Sequence, residues 1–446
     1  MLRRSFLLAA SATPTFGSGL RLATIMADIT PPVGSPIYTG SARSIVDPLE
    51  ARGVVFSGGD KPIVIVALDW CEVRNNSYDL WRSHLAAAAG TTRERVLLSC
   101  VHQHDAPYTD VEAQQLLDEA RSPHRLCDPA FERACIAKVA KAIRHAPPQT
   151  ITHLGTGEAT VEKVASNRRY VGSDGKISFG RTSATPDPTI RNQPEGLIDP
   201  VLKTISFWNG TKPVAALHAY STHPMSYYGK GDVSADFPGI ARRKLQAESS
   251  GVFHIYCSGA SGDTMAGRYN DGNPVNRQLL GGRLYQAMAA SWSATQRAPL
   301  NQIGFRCAKV MFQPRKNRRY SLEVLNRVLT SSTAPRREKL DAALGISWLR
   351  RAARRRPIEM PAVHFGSAAI AVLPAEAFVQ YQLWAQQAAP QKTVMSLGYG
   401  ECAPGYIPTN AAVSEGYDDH YSWIDFATCE ATLRDAINEA LASPLL

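Results

Sequence analysis

Short β-branched runs alternate with longer stretches of helical periodicity along most of the chain, and this alternation restricts the fold more than any other feature. Residues 63–69 (IVIVALD) are continuously apolar up to a terminal acid, the pattern of a strand covered on both faces. Residues 76–89 place Leu80, Trp81, Leu85 and Ala88 at helical spacing and stop at Gly90. Residues 96–101 (VLLSCV) form the next buried strand, and 129–146 read as a helix capped by Asp128 and ended by Pro147-Pro148. Further strands are predicted over 204–208, 214–220, 252–257, 305–312, 368–373 and 393–397. Further helices are predicted over 238–248, 275–292, 336–355, 376–389 and 427–442. The implied class is α/β, a mixed, largely parallel central sheet flanked by helices. No internal repeat or low-complexity linker divides the chain, so residues 23–446 read as a single domain.

Charge qualifies this picture in one place. The chain carries 49 Lys or Arg against 39 Asp or Glu, a formal +10. Between Arg306 and Arg356 there are fifteen basic residues and three acids (Glu323, Glu338, Asp341), an excess of twelve, so the rest is at 10 − 12 = −2. The basic character belongs to an arginine-rich helical insert at about 314–360 on a near-neutral body. Trp348, Leu349, Ala352 and Ala353 alternate there with arginine pairs as on an amphipathic helix. The expected partner of the 315–356 segment is an anionic membrane surface and not nucleic acid, for which no motif is present. No apolar run approaches the ~18 residues that span a bilayer.

At the N-terminus, Arg3-Arg4-Ser5-Phe6-Leu7-Leu8 followed by small residues reads as a twin-arginine export signal over residues 1–22, so a periplasmic or secreted protein is expected. The eight cysteines show no C-x-x-C pair, which argues against a zinc ribbon or a thioredoxin-like site. Several lie inside apolar runs, such as Cys100 and Cys257, and read as small buried hydrophobes.

Ligands of α/β sheets bind beyond the carboxyl ends of strands, so those loops carry the candidate chemistry. After VLLSCV come His102-Gln103-His104-Asp105; if the strand continues, the two histidines share a face. His218 lies inside an apolar run and reads as a core histidine, whereas His223 sits past the strand end before Pro224. Ser258 to Thr264 (SGASGDT) follows another strand, and its Asp263 is placed to hydrogen-bond a ligand histidine. Glu376 follows the strand AIAVLP, and Tyr406 lies in the segment GYIPT. Two imidazoles and a carboxylate with an open position for water make a catalytic zinc sphere.

In their order along the chain these motifs resemble the neutral (alkaline, non-lysosomal) ceramidase family, zinc amidases that cleave the N-acyl bond of ceramide. Thr30-Pro31-Pro32-Val33-Gly34, Asp47 to Arg52, His102 with His104, Asn167-Arg168, Asp199-Pro200, His223-Pro224, Ser234 to Gly239, Gly262-Asp263, Leu373 to Glu376 and Gly405-Tyr406 carry the resemblance over most of 24–410. It implies Zn2+ bound by His102, His223, Glu376 and Tyr406, with His104 and Arg168 at the reacting carbonyl. Two departures stand out. Met265 occupies the position of a serine implicated in catalysis, and the chain ends about forty residues past Tyr406, where the family continues into an immunoglobulin-like domain.

The expected function is a secreted zinc-dependent hydrolase of an N-acyl amide, with a small-molecule or ceramide-like lipid substrate. His104 and Arg168 would stabilise the oxyanion, and Asp263 or Asp105 would orient a ligand or move protons. The competing expectation is a catalytically degenerate metal-binding or ligand-binding protein on the same fold, its turnover lost with the serine.

Overall fold

The computed structural model describes residues 19–443. Most of the export-signal segment therefore lies outside the described residues. Twelve longer strands fall into three sheets, joined and covered by helices. In the first sheet, β1 (Arg21–Asp28), β2 (Glu50–Ser57) and β3 (Ile63–Leu68) are antiparallel neighbours. Helix α1 (Asn75–Ala89) then returns the chain to β4 (Val96–Cys100), which pairs parallel to β3 with Leu68 opposite Cys100. Helices α2 (Val111–Glu119) and α3 (Pro129–His145) follow, the latter capped by the Asp128 carboxylate on the Ala130 and Phe131 amides.

The second sheet repeats this plan. Strands β5 (His153–Thr160), β6 (Val201–Asn209) and β7 (Lys212–Tyr220) are antiparallel, and α4 (Asp236–Glu248) crosses over to β8 (Phe253–Ser258), parallel to β7. After α5 (Val275–Ser293) the third sheet does the same. Strands β9 (Gly304–Val310), β10 (Ile358–His364) and β11 (Ala368–Val372) are antiparallel. Helix α6 (Leu322–Thr330) and α7 (Arg336–Ala353) connect β9 to β10, α8 (Val379–Ala388) crosses to β12 (Thr393–Leu397) parallel to β11, and α9 (Phe426–Leu441) closes the chain.

Two expectations need correction. Among the described residues there is no largely parallel central sheet: each of the three sheets is antiparallel except at one pair. The sequence reading assumed that every helix marks a parallel crossover, but tight connections such as Asn209 to Lys212 between β6 and β7 turn the chain straight back. A repeat also exists, in structure only: three antiparallel strands, a crossover helix and a strand parallel to the third, three times over. It leaves no sequence period because the connections differ in length and the faces differ in content. Strands β1, β2, β5 and β10 were not predicted, and the helix predicted at 376–389 begins only at Val379, behind a two-residue strand Glu376–Ala377.

The inner faces of the sheets share one core. Ile63, Ile65 and Ala67 of β3 face it, while Val64, Val66 and Leu68 face α1 and α3, which is why this run is apolar throughout. Phe56 from the first sheet, Phe207 from the second and Phe365 at the end of β10 meet there, with ring centroids 4.8, 5.3 and 5.0 Å apart. Burying each such ring contributes on the order of 2–3 kcal/mol. Arg242 of α4 spans sheets, donating to both oxygens of Asp69 at 2.8 Å, so the acid that ends the IVIVALD run anchors the second unit to the first.

The arginine-rich segment is the helical link between β9 and β10. Its apolar side faces inward: Leu344, Ile346 and Trp348 are buried, and the Trp348 indole donates to the Trp423 carbonyl at 3.1 Å. Much of its charge is matched on the body, Arg350 and Arg354 against Glu112, Arg351 and Arg356 against Asp79, and Arg315 and Arg319 against Asp418. Contact with a membrane would therefore have to use exposed arginines with little apolar surface beside them, Met311 and Leu322 being its exposed large hydrophobic side chains. No described helix is long and apolar enough to cross a membrane.

Candidate metal centre

The three parallel strand pairs point their carboxyl ends at one place. The ends are tied together: the Cys100 amide donates to the Tyr399 carbonyl at 3.0 Å, the Ser258 hydroxyl to the Val101 carbonyl at 2.7 Å, and the Gly398 amide to the Ser258 carbonyl at 2.8 Å. Three non-glycine residues just past these ends have left-handed backbones, His102 (φ 76°), Ala375 (φ 52°) and Tyr399 (φ 56°). Such conformations cost about 1–2 kcal/mol each and persist where surrounding structure imposes them. His102 and His104 thus do not share a face of a continuing strand. Strand β4 ends at Cys100, and the left-handed turn at His102 brings the two rings edge to face, 5.0 Å apart.

His102, from the first unit, and His223, from the second, approach Glu376, from the third. His223 Nε2 lies 3.1 Å and His102 Nε2 3.5 Å from Glu376 Oε2, and all three side chains are buried. The opposite ring nitrogens are committed to carbonyls, His102 Nδ1 donating to Cys71 O at 2.9 Å and His223 Nδ1 to Ser261 O at 2.6 Å. With Nδ1 so committed, each imidazole turns its Nε2 toward the Glu376 carboxylate. Two imidazoles and a carboxylate so disposed could hold a cation between them. Ligands ~2.0–2.1 Å from a tetrahedral zinc are separated by roughly 3.3 Å, so the spacing suits such an ion. A second group of donors, Cys71, His102 and His104, overlaps the first at His102.

Tyr406 is placed by a two-residue parallel pairing with Glu376, and its ring lies 6.5 Å from that of His223. Arg168 donates from Nη2 to the Tyr406 hydroxyl at 2.9 Å, and its guanidinium sits 4.9 Å from that ring's centroid. His104 Nε2 is 3.4 Å from His102 Nε2, in an edge contact with Tyr38 at 4.6 Å. His102, His104, Arg168, Glu376 and Tyr406 all line one open cavity of about 450 Å3, while His223 lies buried at its base, completing the donor cluster. That volume lies within the ~300–1,000 Å3 usual for small-molecule sites.

Asp263 stands apart from this cluster. Its carboxylate accepts from the Val379 amide at 2.7 Å and from Asn167 Nδ2 at 2.8 Å, and burial pushes its pKa up to about 6. The expected bond to a ligand histidine is not made, because main-chain carbonyls of Ser261 and Thr264 already take His223 Nδ1. Asp263 braces α8 against the Asn167 strand. Asp105 likewise contacts no histidine nitrogen; it accepts from Thr39 and from the Gly229 amide at 3.2 Å. Met265 is buried in a strand pair with Ser166 and forms no part of the cavity wall. His218 is buried between Thr204 and His254, remote from the donor cluster.

Sequence reasoning missed Tyr399. Its ring stacks on His102 at 3.9 Å and its hydroxyl lies 2.6 Å from Ser261 Oγ and 3.3 Å from His223 Nδ1, so it wedges both imidazoles. Its position directly after β12 was the available signal.

No protein-family model matches the sequence, and no curated protein matches it significantly. Among solved structures, the neutral ceramidase from Pseudomonas aeruginosa superposes with a TM-score of 0.69 at 16% identity, covering 96% of this chain and 76% of its own. The chain has the neutral ceramidase fold. A ceramidase solved in complex with C2 superposes with a TM-score of 0.71, also at 16% identity, over 96% of this chain and 77% of the other. The neutral ceramidase fold thus accounts for nearly all of the chain, as the ordered motifs implied.

Proposed function

We propose that the chain is an exported, zinc-dependent hydrolase cleaving an N-acyl amide of the ceramide type or a related one. The observation that carries this reading is the convergence of His102, His223 and Glu376 lone pairs on a cavity that also holds Arg168, His104 and Tyr406. The ceramidase fold of the neighbours and their named activity support it.

A zinc ion held by His102, His223 and Glu376, with Tyr406 beside them, would polarise the acyl carbonyl and lower the pKa of a bound water to about 7. The Cys71 and Ser261 carbonyls fix both imidazoles in the tautomer that presents Nε2, and Tyr399 holds the rings in place. Arg168 supplies a fixed positive charge where negative charge grows on the carbonyl oxygen, and Tyr406 orients it. His104, at the edge of the donor cluster, is placed to hold a proton from water and return it to the departing amine. The balance is that of hydrolysis: a C–O bond forms at the acyl carbon, the C–N bond breaks, and the nitrogen gains a proton. None of these roles needs a hydroxyl at position 265.

The test is zinc content together with hydrolysis of short N-acyl amides. Stoichiometric zinc and turnover are expected, both lost in His102→Ala. Full zinc and full activity in that variant would overturn the assignment. Stoichiometric zinc with no turnover of amides, esters or peptides would leave a metal-binding protein on this fold.

A further inference from the structure

The cavity over the donor cluster is lined by more positive charge than an uncharged amide requires. Resting on the hydrolase reading, we propose that the substrate amide carries a carboxylate, and that Arg336 and Arg337 are the residues that select it.

Four arginines line the cavity, Arg74, Arg168, Arg336 and Arg337. Two are committed. Arg74 is buried against Glu72 at 2.5 Å, and Arg168 donates to Tyr406. Arg336 and Arg337 differ from these and from Arg350, Arg351, Arg354 and Arg356 further along the same segment, all of which reach a carboxylate within 4.0 Å. Among the described residues neither Arg336 nor Arg337 has such a partner. Arg336, half-buried, makes one long contact to the Arg125 carbonyl at 3.4 Å, and Arg337 lies 4.5 Å over the Tyr421 ring, which holds its guanidinium flat on the wall. Asp341 and Asp419 line the same walls, but neither closes to ion-pair distance with the two arginines.

The two residues also open α7, whose preceding Pro335 provides no side-chain cap, so the free amides of the first turn add to the positive potential there. Two adjacent guanidiniums without an ion-pair partner, Arg336 half-buried and Arg337 exposed, are matched by a ligand that brings an anion, with the fork geometry favouring a carboxylate.

The remaining lining agrees with a polar substrate. Met225 is the single aliphatic side chain of the cavity wall; tyrosines 38, 108, 228 and 421 supply most of the rest of its apolar surface. An apolar recess of about 50 Å3 against Ile37, Leu126, Leu340 and Leu344 adjoins it and shares Arg336 and Arg337. Such a site takes one short apolar group beside an anionic one in preference to two long alkyl chains.

The probe pair is N-butanoylglycine and its uncharged, near-isosteric carboxamide N-butanoylglycinamide, with cleavage followed at the butanoyl amide. The acid is expected to show a kcat/KM at least about tenfold above the amide, chiefly through KM. The preference should collapse toward unity in the Arg336→Gln, Arg337→Gln double variant and survive in the corresponding double Lys variant. Because the preference is a ratio within one protein, a general loss of folding does not imitate its collapse. Equal turnover of acid and amide by the unaltered enzyme would overturn the carboxylate site and leave the hydrolase standing. If neither compound is cleaved, the hydrolase reading fails, and calorimetric binding decides the carboxylate site separately: preference for the acid, lost in the double Gln variant, upholds it, whereas equal or undetectable binding overturns it.

Discussion

Arg168 and Tyr406 are joined by a hydrogen bond of 2.9 Å although they lie 238 residues apart, and each faces the cavity on the side of the metal-ligating candidates. The pair fixes a positive charge beside a phenol, which the proposed hydrolysis would use at its oxyanion.

Arg168→Lys keeps the charge but loses the planar fork. Steady-state kinetics on a short N-acyl amide should show kcat/KM lowered by about 10²-fold, with most of the loss in kcat, the range seen when one oxyanion donor is removed. Metal content should be unchanged, which separates this role from a ligand's.

Tyr399→Phe preserves the stack on His102 and removes the hydroxyl contacts to Ser261 and His223. A drop of roughly 10-fold in zinc affinity is expected from competition with a chromophoric chelator. Tyr399→Leu, which also removes the stack, should fall toward 100-fold.

Gly345 predicts a reversal of the usual helix rule. Gly to Ala in a helix interior ordinarily stabilises by about 1 kcal/mol. Here a Cβ would meet the Trp423 ring at 2.3 Å, so Gly345→Ala should instead destabilise by about 1–3 kcal/mol in urea titration.

Acid lability should arise in the second sheet. Thr204, His218 and His254 form a buried chain, with 2.8 Å between the two histidines, and burial holds His218 well below its ordinary pKa and His254 down at about 4. The unfolded chain then binds more protons than the folded one. Stability is full above pH 6.5 and falls between there and pH 4, by about 1.4 kcal/mol per pH unit for His254 alone. His254→Asn, which keeps an acceptor toward His218, should make the slope of urea midpoint against pH shallower by about one proton.

The legibility of this molecule in its sequence has a physical pattern. Strands covered on both faces, such as β3 and β4, announce themselves as continuous apolar runs, and His102, His223 and Glu376 stand directly after such strands. Their mutual distances were not readable, because they depend on how three sheets dock. Asp263 was misjudged because a carboxylate near a ligand loop looks the same in sequence whether it meets an imidazole or a peptide amide. Tyr399 carries only the weak signal of standing just after β12, and no local pattern marks the unpaired Arg336 and Arg337.

Since the first unit brings His102 and His104, the second His223, and the third Glu376 and Tyr406, cutting the chain between its three units would yield no fragment that carries the His102, His223 and Glu376 donors together. Occupancy at that point is a keystone measurement. It registers whether the three arches of the vault have all closed, and a partly opened molecule should release its cation in a single step long before its individual sheets melt.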